Sequence, residues 1–183
     1  EGDGTITLDG LGGNGTDTAI SNGINIQGST ISSYNGAMSL TGVAGASGAR
    51  RAGIGVDAGS SYIYARGGPA PISLTGTGTN ATNSEGISSS DTGGTLTLGA
   101  DNVGFVSGAT AQMTLTADTM NLAGMAFYPK AQTRLRVQPL TDGTTIGIAG
   151  GAGTLQLPAS YFVDNFKPGF YYVTIGNENA GDI

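Results

Sequence analysis

The chain repeats three short apolar segments about every 32 residues, and this repeat constrains its fold more than any other feature. Similar apolar–polar alternations begin at Ile6, Met38 and Ile72, which lie 32 and 34 residues apart, and each ends in Gly. Two further sets recur with nearly the same period: Gly-Ile beginning at 23, 53 and 86, and single apolar residues at Ile31, Ile63 and Leu96. Three strands per period with Gly-rich turns are typical of one coil of a β-solenoid.

Alternation within each segment predicts which side chains face the core. Ile6 and Leu8 should point one way and Thr5 and Thr7 the other, because successive side chains of a strand lie on opposite faces. The same holds for Met38/Leu40 and Ile72/Leu74, so equivalent apolar residues should stack in continuous columns. Burial of each contributes about 1.5–3 kcal/mol, which offsets the ordering of many Gly residues.

Residues 1–183 are predicted to form a single β-solenoid domain of roughly five to seven coils, with strands stacked about 4.8 Å apart. Regular Gly/Thr-rich coils occupy 1–100, whereas 101–183 has bulkier, aromatic-rich coils. Further strands are expected at Leu135–Val137, 145–148, 154–157 and 171–175. A short helical turn is expected within 158–166, with Phe162 and Phe166 on one face.

Composition excludes several classes of protein. The 34 Gly residues show no period of three, which excludes collagen, and the recurring apolar alternation argues against disorder. The net charge is −6 and the 7 basic residues are scattered, so we expect no nucleic-acid partner. Apolar runs are too short for a membrane span. The chain opens without Met or a leader-like segment, so we expect a mature product or an internal fragment.

Catalytic and cofactor-binding signatures are missing from the sequence. There is no His and no Cys, so a Ser nucleophile would lack its usual base, and no phosphate-binding Gly-Lys-Ser/Thr loop occurs. We therefore expect no enzyme and no cofactor. Asp57 and Asp91 lie about one period apart and could form a carboxylate pair, although turn aspartates explain them as well. A β-helix that binds or cleaves polysaccharide is kept as an alternative function.

Three other motifs have a functional and a purely structural interpretation. The segment from Gly12 to Asp17 fits the start of a calcium-binding nonapeptide, but it occurs once, which leaves Asp17 a weak metal candidate. Thr-x-Thr pairs suggest an ice-binding ladder, but we expect the pairs at 5/7, 95/97 and 114/116 to lie in different phases. Arg134 and Arg136, two apart on a strand, suit acidic partners or sugars, or form a solvated face. A calcium- or ice-binding solenoid is the third alternative.

The C-terminal part contains several recognisable sequence motifs, among them Met113-Thr-Leu-Thr-Ala-Asp118, Gly153-Thr-Leu-Gln-Leu157 and Val173-Thr-Ile-Gly176. With these, residues 111–183 resemble the haemagglutinin-repeat portion of filamentous-haemagglutinin-like bacterial exoproteins. Residues 4–100 resemble the Gly/Thr/Ser-rich repeats that often precede it. The resemblance implies a right-handed parallel β-helix, an extracellular or cell-surface location, and an adhesive or scaffolding role without catalytic residues.

The two ends of a solenoid expose strand edges, which need caps or invite joining. We therefore predict self-association, in which the first coil of one copy docks on the last coil of another to build a surface filament. The segment 160–166 is more aromatic than the resemblance leads one to expect. Candidate interface residues are Tyr161, Phe162, Phe166, Phe170, Tyr171 and Tyr172. A host or cell-surface glycan or protein is a further expected partner.

Overall fold

A computed structural model describes residues 3–14, 20–48, 50–67, 70–79, 84–89, 93–99, 112–129 and 132–183. Within these ranges the chain is mostly β-strand with parallel sheets, and its helical content is small. The predicted all-β, parallel class is therefore confirmed.

The strands, in chain order, are short and closely spaced. Those of the N-terminal half are β1 Ile6–Leu11, β2 Ile24–Gln27, β3 Thr30–Ser33, β4 Met38–Val43, β5 Arg51–Asp57, β6 Ser60–Ala65, β7 Ile72–Thr77, β8 Ser84–Ser89 and β9 Thr95–Leu98. Those that follow are β10 Gln112–Thr116, β11 Met120–Asn121, β12 Met125–Phe127, β13 Arg134–Gln138, β14 Ile146–Ile148, β15 Leu155–Leu157 and β16 Tyr172–Ile175, with a π-helix at Tyr161–Asn165 before β16.

Strands β1 to β13 enter three sheets in turn, and β16 joins the first of them, so neighbours within each sheet are parallel and three places apart in the chain. The long sheet has the order β1-β4-β7-β10-β13-β16, the second sheet β2-β5-β8-β11, and the third sheet β3-β6-β9-β12. Strands β14 and β15 pair with each other in parallel. This connectivity places residues distant in sequence directly beside one another.

Strand register in the first two sheets is as the repeat predicts. In the long sheet Ile6 pairs with Met38 and Met38 with Ile72, and Leu8, Leu40 and Leu74 lie in the adjacent row. In the second sheet the corresponding row is Ile24, Ile54 and Ile87. The two apolar rows of the long sheet continue to the last strand, one through Met113, Leu135 and Val173, the other through Leu115, Val137 and Ile175.

The third sheet departs from the predicted register by two residues. Ile31 pairs with Ile63 as expected, but Ile63 pairs with Leu98, and Leu96 lies opposite Ser61. Leu96 and Leu98 are both fully buried. A shift of two residues keeps every side chain on the same face, so the apolar pattern allows either pairing.

The Gly residues that end β4 and begin the core of β5 have a packing role. A Cβ added to Gly42 would lie 1.9 Å from the carbonyl oxygen of Gly53, which is backbone and cannot move aside. The equivalent pairs Gly10/Gly23 and Gly76/Gly86 show the same close approach. The long and second sheets therefore meet backbone to backbone at these three repeats, and only Gly fits at these positions.

Expectations for the C-terminal part are confirmed where the structure describes it. The strand at Leu135–Val137 is β13, the two segments after 144 are β14 and β15, and the last is β16. The helical turn is the π-helix, and the rings of Phe162 and Phe166 lie 5.5 Å apart between centroids. The first part of the bulkier region predicted over 101–183, residues 101–111, lies outside the described residues.

No helix within the described ranges is long and apolar enough to cross a membrane.

Candidate interaction surfaces

The π-helix covers the ends of the second and third sheets. Asn165, which is buried, donates through Nδ2 to the carbonyl oxygens of Leu122 and Met125, beside β11 and β12. Phe166 forms a parallel bridge with Phe127 of β12, and their ring centroids lie 5.5 Å apart. Side chains here replace the neighbouring strand that would otherwise satisfy these backbone groups.

The Tyr161 hydroxyl completes this cover. It accepts a hydrogen bond from the Leu122 N–H at 3.0 Å and donates to the Met120 carbonyl at 3.3 Å. Burial raises the pKa of Tyr161; the Leu122 N–H lowers it in part, and the charge of Glu85 raises it further. The hydroxyl therefore stays protonated and keeps its donor role.

The six aromatic interface candidates divide by burial. Tyr161 and Phe166 are only 7% and 6% exposed and are committed to the contacts described above. Phe162, Tyr171 and Tyr172 are 38%, 58% and 56% exposed, and Phe170 is half-buried. Only the second set offers substantial surface to a partner.

An apolar groove of about 410 Å³ runs between the π-helix and β16. Its apolar lining includes Phe162, Phe166, Phe170, Val173 and Ile175. Val173 belongs to a row whose inner members Met38, Ile72 and Leu135 are buried, yet it is 45% exposed. The groove thus continues the long sheet's apolar rows to the surface.

The opposite end of the strand stack also exposes apolar side chains. Strands β1, β2 and β3 are the outer strands of the three sheets as described. Leu8 is 39% exposed, although Leu40 and Leu74 in the same row are fully buried, and Leu11 is 80% exposed. The sequence does not predict this exposure, because its apolar pattern gives Leu8 and Leu40 the same inward direction and does not tell which one has a neighbouring strand.

The outer face of the long sheet carries two arginines near its last strand. Arg134 and Arg136 are exposed and alternate with buried Leu135 and Val137. Arg134 lies between Gln112 and Tyr172 in its row, and its guanidinium carbon is 6.0 Å from the Tyr172 ring centroid. Gln112, Arg134, Arg136, Tyr172 and Thr174 line a shallow groove of about 330 Å³.

Hydroxyl side chains form two rows on the same face, and this corrects the expectation for the Thr-x-Thr pairs. Thr7 and Thr114 lie in one row of the long sheet, together with Ser39 and Ser73, so two of the three pairs share a phase. The adjacent row contains Thr41, Thr75 and Thr116. The pair Thr95/Thr97 belongs elsewhere, in the third sheet. The expectation was wrong because the period changes after residue 100: Ile72 and Met113, which pair directly, are 41 residues apart.

The candidate metal and carboxylate sites are not assembled among the described residues. No group of three or more His, Cys, Asp or Glu side chains that could hold a metal occurs there. Asp17 and Asp91 lie outside the described residues. Asp57 is buried and pairs with Arg50 at 2.8 Å. This ion pair gives Asp57 a structural partner within its own part of the chain.

No family model, no curated protein and no solved structure matches this chain.

Proposed function

We propose that this chain is a structural and adhesive segment of an extracellular bacterial surface protein, and that copies of it associate end to end. The fold we propose is a right-handed β-solenoid in which three successive strands make one coil. Support comes from the resemblance to filamentous-haemagglutinin-like exoproteins and from the three sheets, in each of which neighbouring strands are three places apart in the chain. Such a stack is a stiff rod suited to a scaffold.

One observation carries the self-association: the apolar rows of the long sheet are uncovered at both outer strands. Leu8 on β1 and Val173 on β16 lie in adjacent rows and are 39% and 45% exposed, whereas the members of both rows on the strands between β1 and β16 are buried. Burying such side chains against a second copy removes apolar surface from water. The two outer strands also present unpaired backbone groups, which favour strand addition.

The geometry defines the junction. If β1 of one copy continues the long sheet beyond β16 of another, the existing register places Ile6 opposite Val173 and Leu8 opposite Ile175. The apolar groove beside β16 then receives the inward side chains of β1. Because the π-helix occupies the ends of the second and third sheets, strand pairing is restricted to the long sheet. The contact is head to tail, so it repeats into a filament rather than closing a dimer.

Complementary variants test this junction. Leu8→Asp disables the β1 side and Val173→Asp the β16 side, and each alone should stay monomeric in light scattering because a charge enters an apolar contact. Mixing the two should give discrete dimers, since one intact junction remains. Val163→Asp, at a position 75% exposed on the π-helix, is the control and should assemble like the unaltered protein.

Electron microscopy of the unaltered protein supplies the second readout, with filaments expected at high concentration. Uniform monomers at high concentration would reject self-association. Assemblies that persist in both single variants would show that the copies associate through another surface.

A second candidate function, binding of ice, is favoured by the two hydroxyl rows of the long sheet. Ser39/Thr41 and Ser73/Thr75 repeat on two adjacent strands at the strand spacing, and Thr114 continues one row on the next strand, where Thr116 is buried against Gln138. A regular hydroxyl array can order water on a flat face. Thermal hysteresis that is lost in Ser73→Tyr would support it, and its absence in the unaltered protein would remove this candidate.

A further inference from the structure

We infer that the outer face of the long sheet at β13 binds a carboxylated polysaccharide. The site consists of Arg134, Arg136, Gln112, Tyr172 and Thr174, which line the shallow groove described above. This inference names the ligand of the proposed adhesive role and rests on that role, but it does not require end-to-end association.

The two arginines are positioned side by side and free to bind. They lie two residues apart on one strand, so both guanidinium groups project from the same face. Within the described residues neither has an ion pair or a side-chain hydrogen bond. Glu178 borders the neighbouring depression with Arg136, but it lies beyond ion-pair distance. This pairing of cations contrasts with a net charge of −6 for the chain.

The other described cations are engaged individually. Arg50 pairs with Asp57, Arg51 donates to the Ala46 carbonyl, Lys167 donates to the Asp164 carbonyl, and Arg66 lies over the Tyr64 ring. None of these brings a second free guanidinium to the same face. The β13 face is therefore where an anionic ligand meets two cations at once.

The chemistry of the lining favours a carboxylated sugar chain. A guanidinium matches a carboxylate with two parallel hydrogen bonds, and two of them on one strand suit a ligand with repeated carboxylates. Tyr172, 56% exposed and beside Arg134, offers a ring face on which the apolar side of a sugar ring can stack. The hydroxyl rows continue the same face across Thr114 and Ser73 and can bind sugar hydroxyls. Nucleic acid is disfavoured, because two cations on an acidic protein neutralise too few phosphates.

Polygalacturonate is the probe, since it carries carboxylates and no sulfate. Binding measured by calorimetry should weaken at least tenfold in Arg134→Ala/Arg136→Ala and several-fold in Tyr172→Ala. Arg66→Ala is the matched control, an exposed arginine that also lies over a tyrosine, and it should bind as the unaltered protein does. Binding should fall as salt rises and should be lost with fully methyl-esterified polygalacturonate.

Several outcomes would overturn the inference. One is that the unaltered protein does not bind polygalacturonate, and another is that the double arginine variant binds it equally well while circular dichroism shows that the variant is folded. The others are that the methyl ester binds as well as polygalacturonate, or that dextran sulfate or single-stranded DNA binds more tightly. Repeating the measurement in the Leu8→Asp background separates the two proposals. Glycan binding that persists in this monomeric variant supports the site whether or not filaments form.

Discussion

The two ends of the strand stack are finished in different ways. At the C-terminal end the π-helix satisfies backbone groups beside β11 and β12 through Asn165 and Tyr161, and Phe166 packs on Phe127. At the N-terminal end β1, β2 and β3 are outer strands, and Leu8 and Leu11 are exposed. The comparison shows that side chains can end a stack of parallel strands where no further strand follows.

The difference also directs where a partner can add. A strand that joins the second or third sheet at the C-terminal end must first displace buried Asn165 or Phe166, whereas β16 is approached along an open apolar groove. Displacing a satisfied buried amide leaves carbonyl groups without donors, which costs about 1–3 kcal/mol for each group. In the proposed filament the π-helix would therefore block strand addition to the second and third sheets and leave the long sheet as the point of extension.

The largest expected effect comes from removing the cover of the third sheet. Phe166→Ala should lower the free energy of unfolding by about 3–5 kcal/mol, because it opens a cavity against Phe127. Val163→Ala, on the same π-helix but 75% exposed, should change it by less than about 0.5 kcal/mol. Urea unfolding measures both. Similar small losses in the two variants would mean that the π-helix does not act as a cover.

A comparison of Leu8 with Leu40, which lie in one apolar row, tests whether the row is uncovered at β1. Leu40→Ala should lower the free energy of unfolding by about 2–5 kcal/mol, because Leu40 is fully buried between Leu8 and Leu74. Leu8→Ala should cost clearly less in the monomer, since 39% of its surface is already exposed. If copies associate as proposed, the loss of unfolding free energy in Leu8→Ala should approach that in Leu40→Ala once the protein is concentrated enough to assemble. Equal losses in dilute monomer would show that Leu8 has a neighbour in the chain itself.

How far the sequence predicts this molecule depends on how regular the repeat is. The rows through Leu40 and Ile54 follow from spacing alone, because a shift by one residue would turn their apolar side chains outward. The pairing of Ile63 with Leu98 did not follow, since a shift by two residues is silent in an alternating pattern. The row shared by Thr7 and Thr114 was missed because the spacing changes beyond residue 100.

The candidate surfaces were predictable only in part. An aromatic C-terminal region was evident, and so was the Arg134/Arg136 pair. The separation of buried Tyr161 from exposed Phe162 depends on which face of a single π-helical turn meets β12, and five residues are too few for a periodic signal. Asn165 gave no signal either, because the carbonyl groups that it satisfies lie about 40 residues away in sequence.

The smallest predicted effect is a pH dependence confined to the C-terminal end. Asp118 accepts hydrogen bonds from the N–H groups of Leu140 and Thr141 and from the hydroxyls of Thr141 and Thr144, which fixes the turn after β13. Burial by itself would raise the pKa of Asp118, but hydrogen bonds from the Thr141 side chain and backbone, Leu140 and Thr144 outweigh it, and the pKa falls below the ordinary value of 3.8.

Because the folded pKa lies below the unfolded one, ionised Asp118 stabilises the fold fully at pH values above about 3.8, and this contribution is lost as pH falls through the folded pKa. Asp118→Asn should lower the free energy of unfolding by about 1–3 kcal/mol at pH 7. It should also weaken the fall of that free energy with decreasing pH in the acid range. Asp142→Asn, an exposed change in the same turn, is the control. Hydrogen exchange should show residues 140–144 opening first on acidification while β1 to β3 keep their protection. If β1 to β3 opened first, the acid-sensitive end would be the uncovered one, and the role assigned to Asp118 would be wrong.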